Sequence, residues 1–177
     1  MKGSQKARVK QKKSQTSLMK KDQKYLNSEQ NILKNFRIIF RALRAHAKSV
    51  EKGTGTNTTQ LWMLWEISKA PGIKVTKLSE ILSIHQTTCS NILDKIQQKD
   101  LIRRDRSGPD QRIVHLYLTE KGARLLADAP EPAQGLIVDA LRRMPDEVLA
   151  SLEESLNTLV GALHTIEKDA GLKPLDI

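Results

Sequence analysis

The sequence predicts a mainly α fold that carries one small β-hairpin, and two observations lead to this expectation. Aromatic residues make up only 3% of the 177 residues, while hydrophobic residues make up 38%. This composition suits helices packed through Leu, Ile and Ala better than a sandwich or barrel. Apolar residues also recur three and four positions apart along most of the chain, which is the spacing of amphipathic helices. The length favours one domain, which we assign to residues 25–177.

Charge is distributed unevenly along the chain, whose formal net charge is +10. Residues 1–24 contain nine Lys and Arg residues against one Asp, whereas residues 119–177 contain six basic and eleven acidic residues. Residues 1–24 also lack apolar periodicity, so we expect a disordered basic tail there. The basic balance favours a polyanionic partner, nucleic acid before a membrane surface, although a merely solvated tail explains residues 1–24 equally well.

Neither a membrane nor an oxidising compartment is indicated. No apolar run approaches the roughly 18 residues of a membrane span, and no apolar stretch follows the charged N-terminus as it would in a secretory signal. The single cysteine, Cys89, cannot form an internal disulfide. We therefore expect a cytoplasmic protein without a membrane partner.

Two helices are predicted in the first part of the domain. Residues 25–52 form the first, in which Ser28 is a suitable N-cap and apolar residues then recur at helical spacing. The Gly- and Thr-rich residues 53–59 should end it in a loop. The second helix covers residues 59–69 and stops before Pro71.

Two shorter helices and a hairpin are predicted next. Thr76 is a suitable N-cap for a third helix, and a fourth helix follows over residues 86–99. Residues 101–105 and 113–118 have the composition and alternation of two strands joined by a turn. This order of elements predicts a winged helix-turn-helix over residues 59–118.

The fourth helix has the two faces that a DNA-recognition helix needs. In a helix-turn-helix, the N-terminal half of the second helix enters the major groove. Gln and Asn can pair with adenine there, and Ser and Thr can bond bases or phosphates. The apolar face consists of Cys89, Ile92, Leu93 and Ile96, and the residues assigned to DNA contacts are His85, Gln86, Thr87, Thr88, Ser90, Asn91 and Lys95, together with Thr76 in the preceding helix. A core helix with an ordinary polar outer face is the competing interpretation.

Arginines concentrate on the hairpin that follows and favour the DNA-binding interpretation. Arg104 and Arg106 lie on its outgoing side, and Asp110 and Arg112 lie at its tip. Arginine suits a narrow, electronegative minor groove, and an Asp two residues away can hold the guanidinium in one orientation. The less favoured alternative is a solvated hairpin with a surface ion pair.

Residues 119–177, with residues 25–52, are expected to supply helices for dimerisation. Thr119 caps a helix that Pro130 and Pro132 must interrupt, and the last helix follows Pro145. That helix carries a heptad seam, which is typical of paired helices. The seam consists of Leu149, Leu152, Leu156, Leu159 and Leu163. We favour pairing of two chains over packing of the seam within one chain.

The stretch KLSEILSIHQTTCSNILDKIQQKDLIRRDRSGPDQRIVHLYLTEKGARLL resembles the multiple-antibiotic-resistance regulator (MarR) family of winged helix-turn-helix proteins. The resemblance rests on a helix with Asp near its end, a hydrophobic pair, basic residues, Asp-x-Arg and Leu-x-Leu-Thr. It implies a bacterial transcription regulator, expected to repress, that binds pseudo-palindromic double-stranded DNA as an obligate homodimer. Carried over to this chain, the recognition helix is His85–Lys99, and Arg112, oriented by Asp110, enters the minor groove.

Family members often bind small aromatic or anionic effectors between the dimer helices and the DNA-binding lobe. The residues that could line such a cavity are Phe36, Phe40, His46, Trp62 and Trp65. Plain core packing of these side chains is the alternative interpretation. A redox role for Cys89 is disfavoured, because the residue lies on the predicted buried face.

Enzymatic and metal-dependent functions are not indicated. The histidines are scattered without paired ligand spacing, which predicts no metal site and no cofactor. No phosphate-binding loop or nucleophile motif is visible, so we expect no enzymatic activity. The second functional interpretation is a dimeric protein-interaction module that retains a winged helix without specific DNA readout.

Overall fold

The structure is a computed structural model that describes residues 2–106, 113–163, 167 and 169–174, with side chains from residue 25 onward. Contacts divide the chain into two units, residues 1–42 and 43–177. The elements are, in chain order, α1 (Lys2–Thr54), α2 (Thr58–Lys69), β1 (Ile73–Lys74), α3 (Val75–Ile81), α4 (Gln86–Gln98), β2 (Ile102–Asp105), β3 (His115–Leu118), α5 (Glu120–Ala127), α6 (Leu136–Arg142), α7 (Asp146–Gly161) and a 3₁₀ turn (Ala170–Leu172). The mainly α fold with a small β wing is confirmed.

Helix α1 begins at Lys2, whereas the sequence analysis predicted a disordered tail up to residue 24. The difference has a physical basis in the composition. No Gly or Pro occurs between Gly3 and Gly53, and the Lys, Gln, Arg, Ala and Leu residues of this stretch all favour helix. Ser28, expected to start the helix, lies inside it.

Side-chain caps define the starts of two helices. The Asn57 carboxamide accepts the Gln60 backbone N–H at 2.8 Å and so caps α2. The Thr119 hydroxyl accepts the Gly122 backbone N–H at 3.0 Å, which confirms the predicted cap of α5. Each bond satisfies one of the orphan N–H groups at a helix start.

Helix α3 begins earlier than predicted. Thr76, expected as its N-cap, is the second residue of the helix, and Lys74 occupies the cap position without a side-chain hydrogen bond. The cause lies in the sheet, where Ile73 pairs with Leu116 and holds the chain extended until Lys74. The helix starts as soon as this pairing ends.

The sheet has three antiparallel strands in the order β1-β3-β2. The predicted hairpin is present, with Ile102 opposite Leu118 and Asp105 opposite His115. The sequence analysis missed the pairing of β1 with β3, because a strand of two residues is too short to show an alternating pattern. This third strand ties the start of α3 to the wing.

The main core lies under α4, between α2, α3 and the sheet. Its fully buried side chains include Met63, Leu64, Ile67, Leu78, Cys89, Leu93, Ile96 and Leu116. Burial of each large aliphatic side chain contributes about 1.5–3 kcal/mol. A second, smaller cluster joins Val50, Leu61 and Ala133, with Trp65 packed against it. The main cluster holds the apolar face of α4 and leaves its other face outside.

Candidate nucleic-acid interface

Helix α4 is anchored by its apolar face, as predicted. Cys89, Leu93 and Ile96 are fully buried, and Ile92 packs against the same cluster. Ile84, in the turn before the helix, is buried in this cluster together with Cys89, the arrangement of a hydrophobic staple. The turn is tight, since Ser83 adopts a left-handed conformation with φ of 52°. The orientation of α4 is therefore set by the core.

The side chains assigned to DNA contacts lie on the opposite face of α4. His85, Gln86, Thr87, Asn91 and Lys95 are exposed, and Thr88 and Ser90 are half-buried. Thr76 is exposed in the first turn of α3. His85 occupies the N-cap position of α4 but makes no side-chain capping bond, which leaves its imidazole outside the helix. The predicted set thus forms one polar surface that begins at the start of the helix.

Arg104 holds the wing against α4. Its guanidinium forms an ion pair with Asp94 at 2.7 Å, and it donates to the Ser90 carbonyl at 3.4 Å. Only 22% of the Arg104 side chain is exposed. In this arrangement Arg104, assigned to DNA from the sequence, positions β2 relative to the recognition helix. Asp94 could not be predicted as its partner from the sequence, because the two residues lie ten positions apart on different elements.

Of the other wing residues, Arg103 and Arg106 lie in the described part of the chain, and two lie outside it. The Arg103 guanidinium lies 4.2 Å from the centre of the Tyr117 ring, a cation–π contact across the hairpin. Arg106 is exposed at the end of β2. Asp110 and Arg112, the predicted tip pair, lie outside the described residues. Their assignment therefore stays a prediction.

Cys89 is part of the core. Its thiol lies 4.0 Å from the Val75 carbonyl oxygen. Burial raises the pKa of Cys89 to about 11, against the opposing charge of Arg104. Because the thiolate is the reactive form of cysteine, this environment disfavours a redox-sensing role.

A cavity of about 180 Å³ lies beside the α3–α4 turn. His46 and Trp62, two of the residues predicted to line an effector site, line it. Trp65 instead packs against the second cluster, and Phe36 and Phe40 stack on each other in α1 with their ring centres 6.3 Å apart. Most of the lining residues were not predicted from the sequence. Eight of these come from the loop before α6, from α6 and from the C-terminal segment: Gln134, Gly135, Leu136, Ile137, Val138, Gly171, Lys173 and Pro174. No local pattern in the sequence marks these segments as neighbours.

The described part of the chain contains neither a clustered set of metal ligands nor a helix suited to span a membrane. No group of three or more His, Cys, Asp or Glu side chains is arranged to hold a metal ion there. Among the helices described, none combines the length and apolar character needed to cross a membrane.

The fold and the polar surface of α4 define a winged helix-turn-helix DNA-binding protein. A model of the MarR family matches residues 56–114. The organic hydroperoxide resistance transcriptional regulator of Bacillus subtilis (strain 168) is 36% identical over 104 residues, which cover 59% of this chain and 67% of that protein. The chain belongs to the MarR family of transcription regulators.

Solved structures share the fold. A MepR-like protein complexed with pseudoligands aligns with a TM-score of 0.55 and 20% identity, over 74% of this chain and 94% of that one. FabT from Streptococcus pneumoniae, solved in complex with DNA, aligns with a TM-score of 0.53 and 24% identity, over 75% of this chain and 94% of that one.

Family membership decides between the functional classes considered above. The chain is a DNA-binding transcription regulator, and this function is favoured over an interaction module without DNA readout. The predicted absence of enzymatic activity is confirmed, because members of this family regulate transcription by binding DNA and are not enzymes.

Proposed function

We propose that two copies of this chain bind one pseudo-palindromic operator in the bacterial cytoplasm and repress transcription. The observation that carries this proposal is the pair of faces of α4. Its apolar side is fixed in the core, while Gln86, Thr87 and Asn91 stand exposed in its N-terminal half, the part of a recognition helix that meets base edges.

The seam on α7 supports pairing of two chains. No residue of α7 is buried within the chain, and Leu156 and Leu159 are each 42% exposed. Leu163, which the sequence predicted as part of this seam, lies two residues beyond the end of α7 and is 55% exposed. Exposed leucines at heptad spacing are typical of helices that pair with a partner. A second copy is the partner of matching chemistry, since it offers the same seam.

A two-fold axis through this dimer would set the shape of the operator. The two recognition helices would enter successive major grooves about 34–36 Å apart. Each wing would then lie over a flanking minor groove, where A·T-rich DNA is narrow and favours arginine. Arg112, oriented by Asp110, is the residue we assign to that groove.

Selection from randomised duplexes tests the assignment of base contacts. Gln86→Ala and Asn91→Ala should each relax base preference inside the half-sites, at a cost of about 1–3 kcal/mol if the contact is bidentate. Gln97→Ala is the matched control, because Gln97 is exposed on the same helix but in its C-terminal half. If all three variants keep the wild-type preference, the polar face of α4 does not read bases.

The same selection tests the wing. Arg112→Ala should lose affinity mainly for sites with A·T-rich flanks and keep the preference inside the half-sites. Asp110→Ala should show a milder form of the same loss, since it only frees the arginine. Unchanged flank preference in Arg112→Ala would contradict the minor-groove assignment.

The cavity beside the α3–α4 turn is the proposed effector site. The Nε2 atom of His46 is buried without a hydrogen-bond partner among the described residues, and buried polar atoms normally have one. Trp62 and Leu136 supply apolar walls, and Lys173 supplies a positive charge. A small compound with an apolar body and an anionic group matches this lining.

A further inference from the structure

The C-terminal segment of residues 169–174, which we call the strap, returns to the start of the recognition helix. Its 3₁₀ turn spans Ala170–Leu172. The Leu172 carbonyl oxygen accepts a hydrogen bond from the His85 backbone N–H at 3.3 Å. The His85 side chain makes no capping bond. The strap therefore contacts α4 at an N-terminus that has no side-chain cap.

The strap is also a wall of the cavity. Gly171, Lys173 and Pro174 line it, together with Ser83 and Ile84 from the turn that precedes α4. The segment therefore touches both the cavity and the first residue before α4. A change in the position of the strap alters the surroundings of both.

The strap lies at the start of α4, where DNA is expected to bind. Recognition helices meet DNA with their N-terminal residues, and backbone N–H groups at helix starts are among the donors that contact phosphate oxygens. The Leu172 carbonyl oxygen uses one donor of this kind, and Gly171 and Lys173 line the cavity beside the same turn. A chain segment and a DNA backbone cannot fill this space together.

We propose that the strap is autoinhibitory, so that it must leave the start of α4 before DNA binds there. This inference rests on the proposed DNA-binding function of α4. The attachment is weak, because the 3.3 Å bond is longer than the usual 2.7–3.2 Å range of N–H···O bonds and Leu172 is 40% exposed. A single neutral hydrogen bond of this kind corresponds to an effect of about 2- to 10-fold on affinity.

Two truncations test the strap on the operator obtained by selection. A chain that ends at residue 168 lacks the strap, whereas a chain that ends at Pro174 retains it and serves as the matched control. Both keep α7, which ends at Gly161. We expect the shorter chain to bind the operator about 2- to 10-fold more tightly than the full chain, and the control to bind like the full chain. Equal or weaker binding by the shorter chain would overturn the proposal.

Hydrogen exchange of the full chain gives a second test that needs no variant. Addition of operator DNA should increase amide exchange in residues 169–174, because the strap is released. Stronger protection of these amides would show that the strap binds with DNA rather than against it. Failure of the proposed DNA binding and failure of the proposed strap give different results. A full chain that selects no DNA sequence contradicts the proposed function, whereas full and strap-less chains that select the same sequence with equal affinity contradict the strap alone.

Discussion

The winged lobe, which comprises the elements from α2 to α5, and helix α7 differ in how much of their apolar surface one chain can cover. In the lobe, side chains such as Leu93 and Ile96 are completely buried. In α7 no residue is buried, and Leu159 is 42% exposed. The lobe thus buries its apolar side chains within one chain, whereas α7 leaves its leucines partly exposed. This contrast separates the part that carries the recognition helix from the part that we propose joins two copies of the chain.

The largest expected effect concerns the partner of α7. Leu156→Glu places a charge in the proposed seam, where it would be buried and unpaired in the dimer. We expect the free energy of dimerisation to fall by about 3–5 kcal/mol, which is more than a hundredfold in the dissociation constant. Analytical ultracentrifugation measures this change, and fluorescence of Trp62 and Trp65 should show an unchanged lobe.

Asn157→Glu is the control for that substitution. It adds the same charge at the neighbouring exposed position of α7, outside the seam. It should leave the dimer intact. A Leu156→Glu chain that sediments as a folded dimer would mean that α7 does not form the interface.

The sequence predicted the lobe better than its surroundings for a physical reason. The limits of α4, its buried face and the cap at Thr119 follow from residues within one or two helical turns of each other. The third strand, by contrast, depends on the pairing of Ile73 with Leu116, which lie far apart in the chain. Patterns of local spacing cannot predict such a pairing.

The candidate site shows the same difference between local features, which the sequence predicts, and long-range contacts, which it does not. The exposed residues of α4 could be predicted because a helix with one buried face must present the other. The ion pair between Asp94 and Arg104 could not, since it depends on where the hairpin packs against the helix. The contact of Leu172 with His85 depends on the path of the chain after α7, for which the sequence carries no local signal.

Substitutions at two glycines give the second test of the difference in packing between the lobe and α7. A Cβ atom on Gly122 would lie 2.0 Å from the Leu101 carbonyl oxygen, whereas a Cβ atom on Gly161 in α7 would meet nothing within 4 Å. Gly122→Ala must therefore displace α5 from the backbone before β2, and overpacking of this kind should cost about 2–3 kcal/mol. Gly161→Ala, which adds the same methyl group, should be neutral or stabilise its helix by up to about 1 kcal/mol.

Urea unfolding of the two glycine variants at one protein concentration measures both effects. A cost below about 1 kcal/mol for Gly122→Ala would show that the lobe adapts to the extra atom. A comparable loss in both variants would show that α7 is packed as tightly as the lobe, which would contradict the difference between the two regions.

The smallest expected effect lies at the junction, where α6 connects the lobe to α7. Glu66 is largely buried and accepts hydrogen bonds from the Trp62 indole N–H at 2.9 Å and from Arg142 at 3.1 Å. The Arg142 guanidinium also lies 5.1 Å from the centre of the Trp65 ring. Arg142→Ala removes a charged donor from a mostly buried carboxylate. Because the Arg142 side chain is 45% exposed, we expect a loss of only about 1–2 kcal/mol.

Arg143→Ala is the matched control for the junction, since Arg143 is 73% exposed and forms an ion pair with Asp139, four residues earlier, at 2.7 Å. Such a pair contributes about 0.2–0.5 kcal/mol, so the two neighbouring arginines should differ severalfold in their effect on unfolding. Tryptophan fluorescence distinguishes them further, because Arg142 contacts Trp65 directly and shares Glu66 with Trp62. Equal costs and unchanged fluorescence in both variants would show that Arg142 does not fasten α6 to the lobe. The part of the chain that is not packed against the lobe would then begin at α6 rather than at α7.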